Sequence, residues 1–313
     1  MRVRKFFKGW RGGVAGLVIS AGLSLLLSTV SMAEPNPEEG ESVEGASGGI
    51  GVLGSFVRQK GKSLDTRKVH VTYDKGSRTT TVHNQRSYPI TFSLDLAEAK
   101  NVATMPKRPV LKVVSPGEKI YIRFFQVGAE EPVFRYIWGW ETGAYTAKHA
   151  KRVHYRLPWP TEKNFKCTQA FDGDYSHSGE HALDIVMPVG TPILAARSGR
   201  VIAITDGWGP GKPSMDYFSE ANYMKILHED GTYAVYMHLK AGGMKAGLGD
   251  EVVRGQVIAT SGNSGYSKRP HLHFVVKSAL DGWVTRTHAV RFQVGREVLS
   301  LRSGSWYPEK PAK

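Results

Sequence analysis

The chain has 313 residues, with 42 Lys and Arg against 28 Asp and Glu, for a formal charge of +14. Its 41% apolar and 22% charged residues are those of a globular protein, which excludes a disordered chain, a coiled coil and a polytopic membrane protein. The single cysteine, Cys167, excludes an intramolecular disulfide framework and a Cys-rich zinc ribbon. The 35 Gly and 16 Pro point to a turn-rich, all-β protein, and the length allows two domains with a tail.

Residues 1–33 have the form of a secretory signal peptide. Arg2, Arg4, Lys5, Lys8 and Arg11 precede an apolar run from Val14 to Val30, and Ser31-Met32-Ala33 offers small residues to a signal peptidase. An uncleaved anchor is the other reading, since the run approaches the length of a spanning helix. Either way the remainder is expected outside the cytoplasm, in the periplasm or cell envelope, touching the membrane only through this segment. Its basic charge then favours polyanionic wall polymers or surfaces, and export argues against nucleic acid.

Residues 34–65, rich in Glu, Gly, Ser and Pro, read as a flexible linker. Period-2 alternation follows: Val69, Val71 and Tyr73; Ile90, Phe92, Leu94 and Leu96; Ile120, Ile122 and Phe124. Turn signals separate these runs, so residues 66–157 are expected to form an antiparallel β-sandwich. Phe134, Tyr136, Trp138 and Trp140 are expected in its core. Leu157-Pro158-Trp159-Pro160 marks a boundary. Residues 158–300 form a second β-rich domain and 301–313 a tail. Within it, Ser198-Gly199 suggests a hairpin between 193–196 and 200–204, and Glu229-Asp230-Gly231 one between Tyr223–Leu227 and Tyr233–Met237. Gly207 to Ser214 reads as an exposed loop.

The second domain holds seven of the eleven histidines. His271 and His273 are two apart, so on a strand both enter one site from one face. His177, His181 and Asp184 offer imidazole and carboxylate just before an apolar segment, and His238 ends another. A hydrolytic zinc site needs about three N or O ligands and one open position, and this donor set suits Zn²⁺ without a thiolate.

Residues 158–276 resemble the LytM/lysostaphin-type zinc metallopeptidase family. His177-Ser178-Gly179 with Asp184, Met187-Pro188-Val189-Gly190-Thr191-Pro192, Tyr236-Met237-His238-Leu239, Ser261-Gly262-Asn263-Ser264-Gly265 and Pro270-His271-Leu272-His273-Phe274 match its elements in order. The resemblance implies a LytM-type antiparallel β-sheet peptidase domain following the sandwich. It implies one Zn²⁺ per chain on His177, Asp184 and His273, with His238 and His271 as accessory catalytic histidines. His177 and Asp184 are farther apart than in the common H-x-G-x-D pattern, so His181 stands as an alternative first ligand. The implied activity is hydrolysis of peptide cross-links in peptidoglycan stem peptides, at the D-alanyl–meso-diaminopimelate bond. The alternative is a catalytically silent regulator that activates wall amidases. Asn222, just before a strand, is a candidate to line the substrate cleft. Cys167 is expected to be a buried small hydrophobe.

Overall fold

The computed structural model describes residues 67–308 and the backbone of three short strands, β1 (Val43–Gly45), β2 (Gly49–Val52) and β3 (Ser55–Phe56). The expected export segment lies outside the described residues. Among the described residues the fold is all-β, apart from one 3-10 turn at Met215–Tyr217, and no helix is long and apolar enough to cross a membrane.

The first unit uses β4 (Val69–Asp74), β5 (Thr79–Asn84), β6 (Ile90–Lys100), β7 (Val102–Met105), β8 (Val110–Val114), β9 (Lys119–Gln126) and β10 (Val133–Thr142). They build two five-stranded antiparallel sheets, β1-β4-β5-β9-β7 and β3-β2-β10-β6-β8. Alternation buries one face of each strand: Val69 and Val71, Val82, Ile122 and Phe124 meet Phe92, Leu94, Tyr136, Trp138 and Trp140 in one core. The stretch expected as a linker supplies β1, β2 and β3 instead, with β2 pairing β10 and β1 pairing β4. Strand pairing uses backbone N–H and C=O, which Gly and Glu provide as well as any residue, so a polar composition does not forbid edge strands.

The second unit is centred on a nine-stranded sheet. Its path is β18 (Glu251–Val252), β15 (Gly199–Thr205), β16 (Tyr223–Leu227), β17 (Tyr233–Met237), β20 (His271–Ala279), β13 (Ala182–Val186), β12 (Phe165–Gln169) and β24 (Trp306–Tyr307), with β21 (Thr285–Thr287) also pairing β20. The expected β16–β17 hairpin is present. The expected hairpin at Ser198-Gly199 is not. β14 (Pro192–Leu194) pairs instead with β19 (Val257–Thr260), whereas β15 pairs with β16 and β18. A turn signal says that the chain bends, not which strand receives it. The tail also differs from expectation: Leu301 and Tyr307 are buried, and β24 pairs β12.

Period-2 alternation gives this sheet two faces. Leu183, Ile185, Met224, Ile226, Tyr236, Leu272, Phe274 and Val276 point into one apolar core. Ala182, Ile202, Tyr233, Val235 and Val275 point the other way, into the core shared with the sandwich. Backbones approach closely at this junction, where the Gly282 N–H donates to Ser93 Oγ (2.8 Å). A Cβ on Gly282 would collide with the Gly139 carbonyl.

Candidate active site

The register places the chemistry. Met237 pairs with His273, and His273 with Asp184, so their side chains line one face in a row across three strands. Two residues further along β20 and β17, Val275 and Val235 are already buried in the core shared with the sandwich. The row therefore stands on the sandwich-covered face of the sheet, at the uncovered end.

His177 enters from the loop between β12 and β13. Its Nδ1–H donates to the Ala170 carbonyl (3.2 Å), which leaves Nε2 facing Asp184 Oδ1 at 3.4 Å. On the other side of the same oxygen lies His273 Nδ1, at 3.0 Å. One donor atom from each of His177, Asp184 and His273 falls within 4.8 Å of the others. His181 is not in this group: its Nδ1 is near Thr287 and its ring lies against Phe171.

Electrostatics follow from the crowding. Burial alone would raise the Asp184 carboxyl, but hydrogen bonds from His177 and His273 and the nearby charges of His273 and His271 hold it well below the carboxylate range. Burial disfavours protonation of His177, yet the Asp184 carboxylate beside it raises its pKa above the ordinary value. The donor set fits a divalent cation of the zinc type. It offers two imidazoles and a carboxylate, with the remaining polar atoms of His177 and Asp184 already held by protein groups.

Two more imidazoles border the cluster. His238 follows the end of β17 with φ of 63°, a left-handed conformation that turns the chain and brings its ring to 4.4 Å from that of His271. Its Nδ1–H donates to the Ser264 carbonyl (2.7 Å). The His271 Nδ1–H donates likewise to the Arg269 carbonyl (2.8 Å), and its Nε2 lies 3.8 Å from Asp184 Oδ1. A carbonyl can only accept, so both rings, when neutral, expose an unprotonated Nε2. Burial pushes the pKa of His238 down to about 3, helped by the charges of His271 and His273. Burial lowers that of His271 as well, partly offset by Asp184. Both shifts favour the neutral ring.

Asn222 is not at the cleft surface. It is fully buried, with Oδ1 accepting from the Trp208 N–H and Nδ2 donating to the Trp208 and Leu239 carbonyls. It fastens the 206–222 loop to the segment after His238 and has no polar group left for a substrate. Gln169 plays a part that its sequence position does not reveal. Its Nε2 reaches Asp184 Oδ2 (3.3 Å) and Ser176 Oγ (2.7 Å), and its Oε1 accepts from the Ser176 N–H (3.2 Å). It thus ties the carboxylate to the loop that carries His177. Only strand pairing between β12 and β13 shows this. Cys167 is fully buried, and burial pushes its thiol up to about 12, so it is inert at neutral pH.

Residues 178–298 match the model of Peptidase family M23, so this region is a peptidase M23 domain. Lysostaphin of Staphylococcus simulans is 36% identical over 95 residues, 30% of this chain and 17% of that protein. The peptidoglycan DD-endopeptidase ShyC of Vibrio cholerae is 28% identical over 199 residues, 61% of this chain and 42% of its own length. The chain thus spans less than half of each of these two relatives. Among solved structures, the catalytic domain of lysostaphin from Staphylococcus simulans matches 40% of this chain and 87% of its own, with 26% identity and a TM-score of 0.29. A putative peptidase M23 from Pseudomonas aeruginosa matches 78% and 90%, with 20% identity and a TM-score of 0.30.

Proposed function

We propose that the chain is a zinc-dependent endopeptidase that hydrolyses peptide cross-links of peptidoglycan, at the D-alanyl–meso-diaminopimelate bond, in the periplasm or cell envelope. The observation that carries the reading is the convergence of His177, Asp184 and His273 within 4.8 Å, with two neutral imidazoles beside them. Relatives named as peptidoglycan DD-endopeptidases, ShyC and ShyA of Vibrio cholerae, support the substrate class.

In this reading His177 Nε2, Asp184 Oδ1 and His273 Nδ1 hold one zinc ion. When bound, the ion supplies Lewis acidity that polarises the scissile carbonyl and acidifies water. The chain's own groups manage the protons. An unprotonated Nε2 on His238 or His271 can accept the proton of the attacking water, and the imidazolium so formed can return it to the leaving amine. The second ring, neutral with its Nδ1–H on a carbonyl, offers its Nε2 as a further hydrogen-bond acceptor that helps orient the attacking water. The Ser264 and Arg269 carbonyls fix the tautomer of both rings, so neither has to reorient before reaction. Retention of all five groups supports hydrolysis over the silent regulator of wall amidases.

The test is metal content with activity. The purified chain should bind one zinc ion, lose wall hydrolysis on chelation and regain it with zinc. Full hydrolysis by the metal-free chain would remove the reading.

A further inference from the structure

Each of the two accessory imidazoles is backed by a serine of the 261–270 loop, and both serines are buried. The Ser264 carbonyl accepts from the His238 Nδ1–H (2.7 Å), while its hydroxyl donates to the Leu239 carbonyl (3.0 Å) and accepts from the Asn222 N–H (2.9 Å). The Ser267 hydroxyl lies 2.8 Å from Asn263 Oδ1, 2.8 Å from the Arg269 carbonyl and 3.1 Å from His271 Nδ1. It therefore touches both the His271 ring and the carbonyl to which that ring donates.

Neither hydroxyl has a hydrogen left for a substrate. Ser264 spends its one hydrogen on Leu239, and Ser267 has two acceptors for one hydrogen. What the two serines share is the loop behind them. The 206–222 loop holds Ser264 from one end, through the Asn222 N–H. It holds Ser267 from the other, where the Ser267 N–H donates to the Lys212 carbonyl (3.4 Å). The Gly211 N–H adds a third bond, to the Asn263 carbonyl (2.7 Å). The two backbones touch here: a Cβ on Gly211 would fall on the carbonyl of Gly265, the residue after Ser264. None of these bonds involves His177, Asp184 or His273.

We infer that Ser264 and Ser267 are positioning residues, through which the 206–222 loop holds the His238 and His271 rings in the orientation that turnover needs. This rests on the reading of the cleft as a peptide-cleaving site and adds the part of the chain that keeps its proton-handling groups in place. The partner on Nδ1 decides the tautomer of an imidazole and the direction of its Nε2. Without the Ser267 hydroxyl the Arg269 carbonyl loses the group beside it, the His271 ring gains freedom to turn, and its Nε2 leaves the attacking water. A neutral hydrogen bond corresponds to roughly fivefold in an equilibrium, and a displacement of 1 Å at a reacting group can cost about a hundredfold in rate. The metal ligands lie outside the brace, so the loss should fall on turnover and not on zinc.

The experiment uses Ser267→Ala, which removes one hydroxyl, and Gly211→Ala, which pushes the loop away without altering a group that touches either ring. On the zinc-loaded full chain, kcat and KM are measured for a cross-linked peptide, together with zinc affinity. Side-chain nitrogen NMR of His238 and His271 reads the tautomer, since protonated and bare ring nitrogens resonate far apart. Both variants should lower kcat about tenfold, with KM and zinc affinity within about twofold of the wild type. In Ser267→Ala the His271 signals should change from a single Nδ1–H tautomer to a mixture while those of His238 stay; in Gly211→Ala both rings should change. An unchanged kcat in either variant, a loss carried by KM or zinc affinity, or ring signals that stay as in the wild type overturns the inference. If the wild type cleaves no peptide, the peptidase reading fails separately, and the ring signals decide the brace: a mixed His271 tautomer in Ser267→Ala sustains it, and an unchanged one overturns it.

Discussion

Replacing Gln169 by Leu tests whether the site is held from behind. The side chain is nearly the same size and stays buried, so the change removes hydrogen bonds and little packing. Lost are the bonds from Nε2 to Asp184 Oδ2 (3.3 Å) and to Ser176 Oγ (2.7 Å), and the one that Oε1 accepts from the Ser176 N–H (3.2 Å). A hydrogen bond to a charged acceptor is worth about 1.5–3 kcal/mol. At 3.3 Å the bond to Asp184 belongs at the low end, about 1.5 kcal/mol. That corresponds to roughly tenfold in affinity. Freeing the loop at Ser176 also loosens His177, which adds to the loss. Groups behind a metal ligand generally change metal affinity by about 10–100-fold. Zinc affinity is read by competition against a chromophoric chelator, with thermal melting of the metal-free chain as the folding check. A weakening of about tenfold or more with an intact fold is expected. Unchanged affinity would refute the role given to Gln169.

Three other expectations follow from the geometry. His273→Ala should abolish stoichiometric zinc binding, whereas His271→Ala should keep the metal and lower kcat by about a hundredfold or more, the usual scale for acid–base groups; metal analysis and wall-hydrolysis rates separate the two. His228 is buried with Nδ1 on Thr232 Oγ1, and burial, helped by the charge of Arg197, pushes its pKa down to about 3. Its neutral form is therefore the one the fold accepts, so its contribution is complete above about pH 6.5 and is lost as pH falls towards 3, at up to about 1.4 kcal/mol per pH unit. Melting temperatures between pH 7 and 4 should fall less steeply for His228→Asn than for the wild type, and parallel curves would contradict this. Gly282→Val inserts a side chain against the Gly139 carbonyl and Ser93 backbone where sandwich and peptidase sheet meet. It should destabilise by roughly 1–3 kcal/mol, visible as a lower melting temperature. An unchanged melting temperature would mean that the two units do not dock there.

The site was largely legible in the sequence because its groups come from short segments with fixed internal geometry. His271-Leu272-His273 needs only a strand to put two imidazoles on one face, and β20 supplies it. The loop histidine was harder. His177 and His181 both precede Asp184 and both flank a bend, and only the fold sends one ring to the carboxylate and the other to Thr287. Gln169 and Asn222 mark the limit from opposite sides. The amide of Gln169 reaches Asp184 through a pairing of β12 with β13 that no local pattern announces. Asn222 lies near the cleft in sequence, but its amide is used up by three backbone groups. In the fold, alternation gave the strands of both units. Partners across long separations were not readable: β14 with β19 in place of a local hairpin, β24 recruited from the expected tail, and β1 to β3 from the expected linker. Local patterns fix which face of a strand is apolar, while pairing depends on where distant chain returns.

The central claim is tested most directly by digesting purified peptidoglycan with the zinc-loaded chain and weighing the released fragments by mass spectrometry, with His273→Ala alongside. The account predicts that cross-linked dimers disappear in favour of monomers, one stem ending in a D-alanine carboxylate and the other regaining the free side-chain amine of its meso-diaminopimelate, with the wild type only. Dimers that persist with the zinc-loaded wild type, or that vanish equally with His273→Ala, would contradict it.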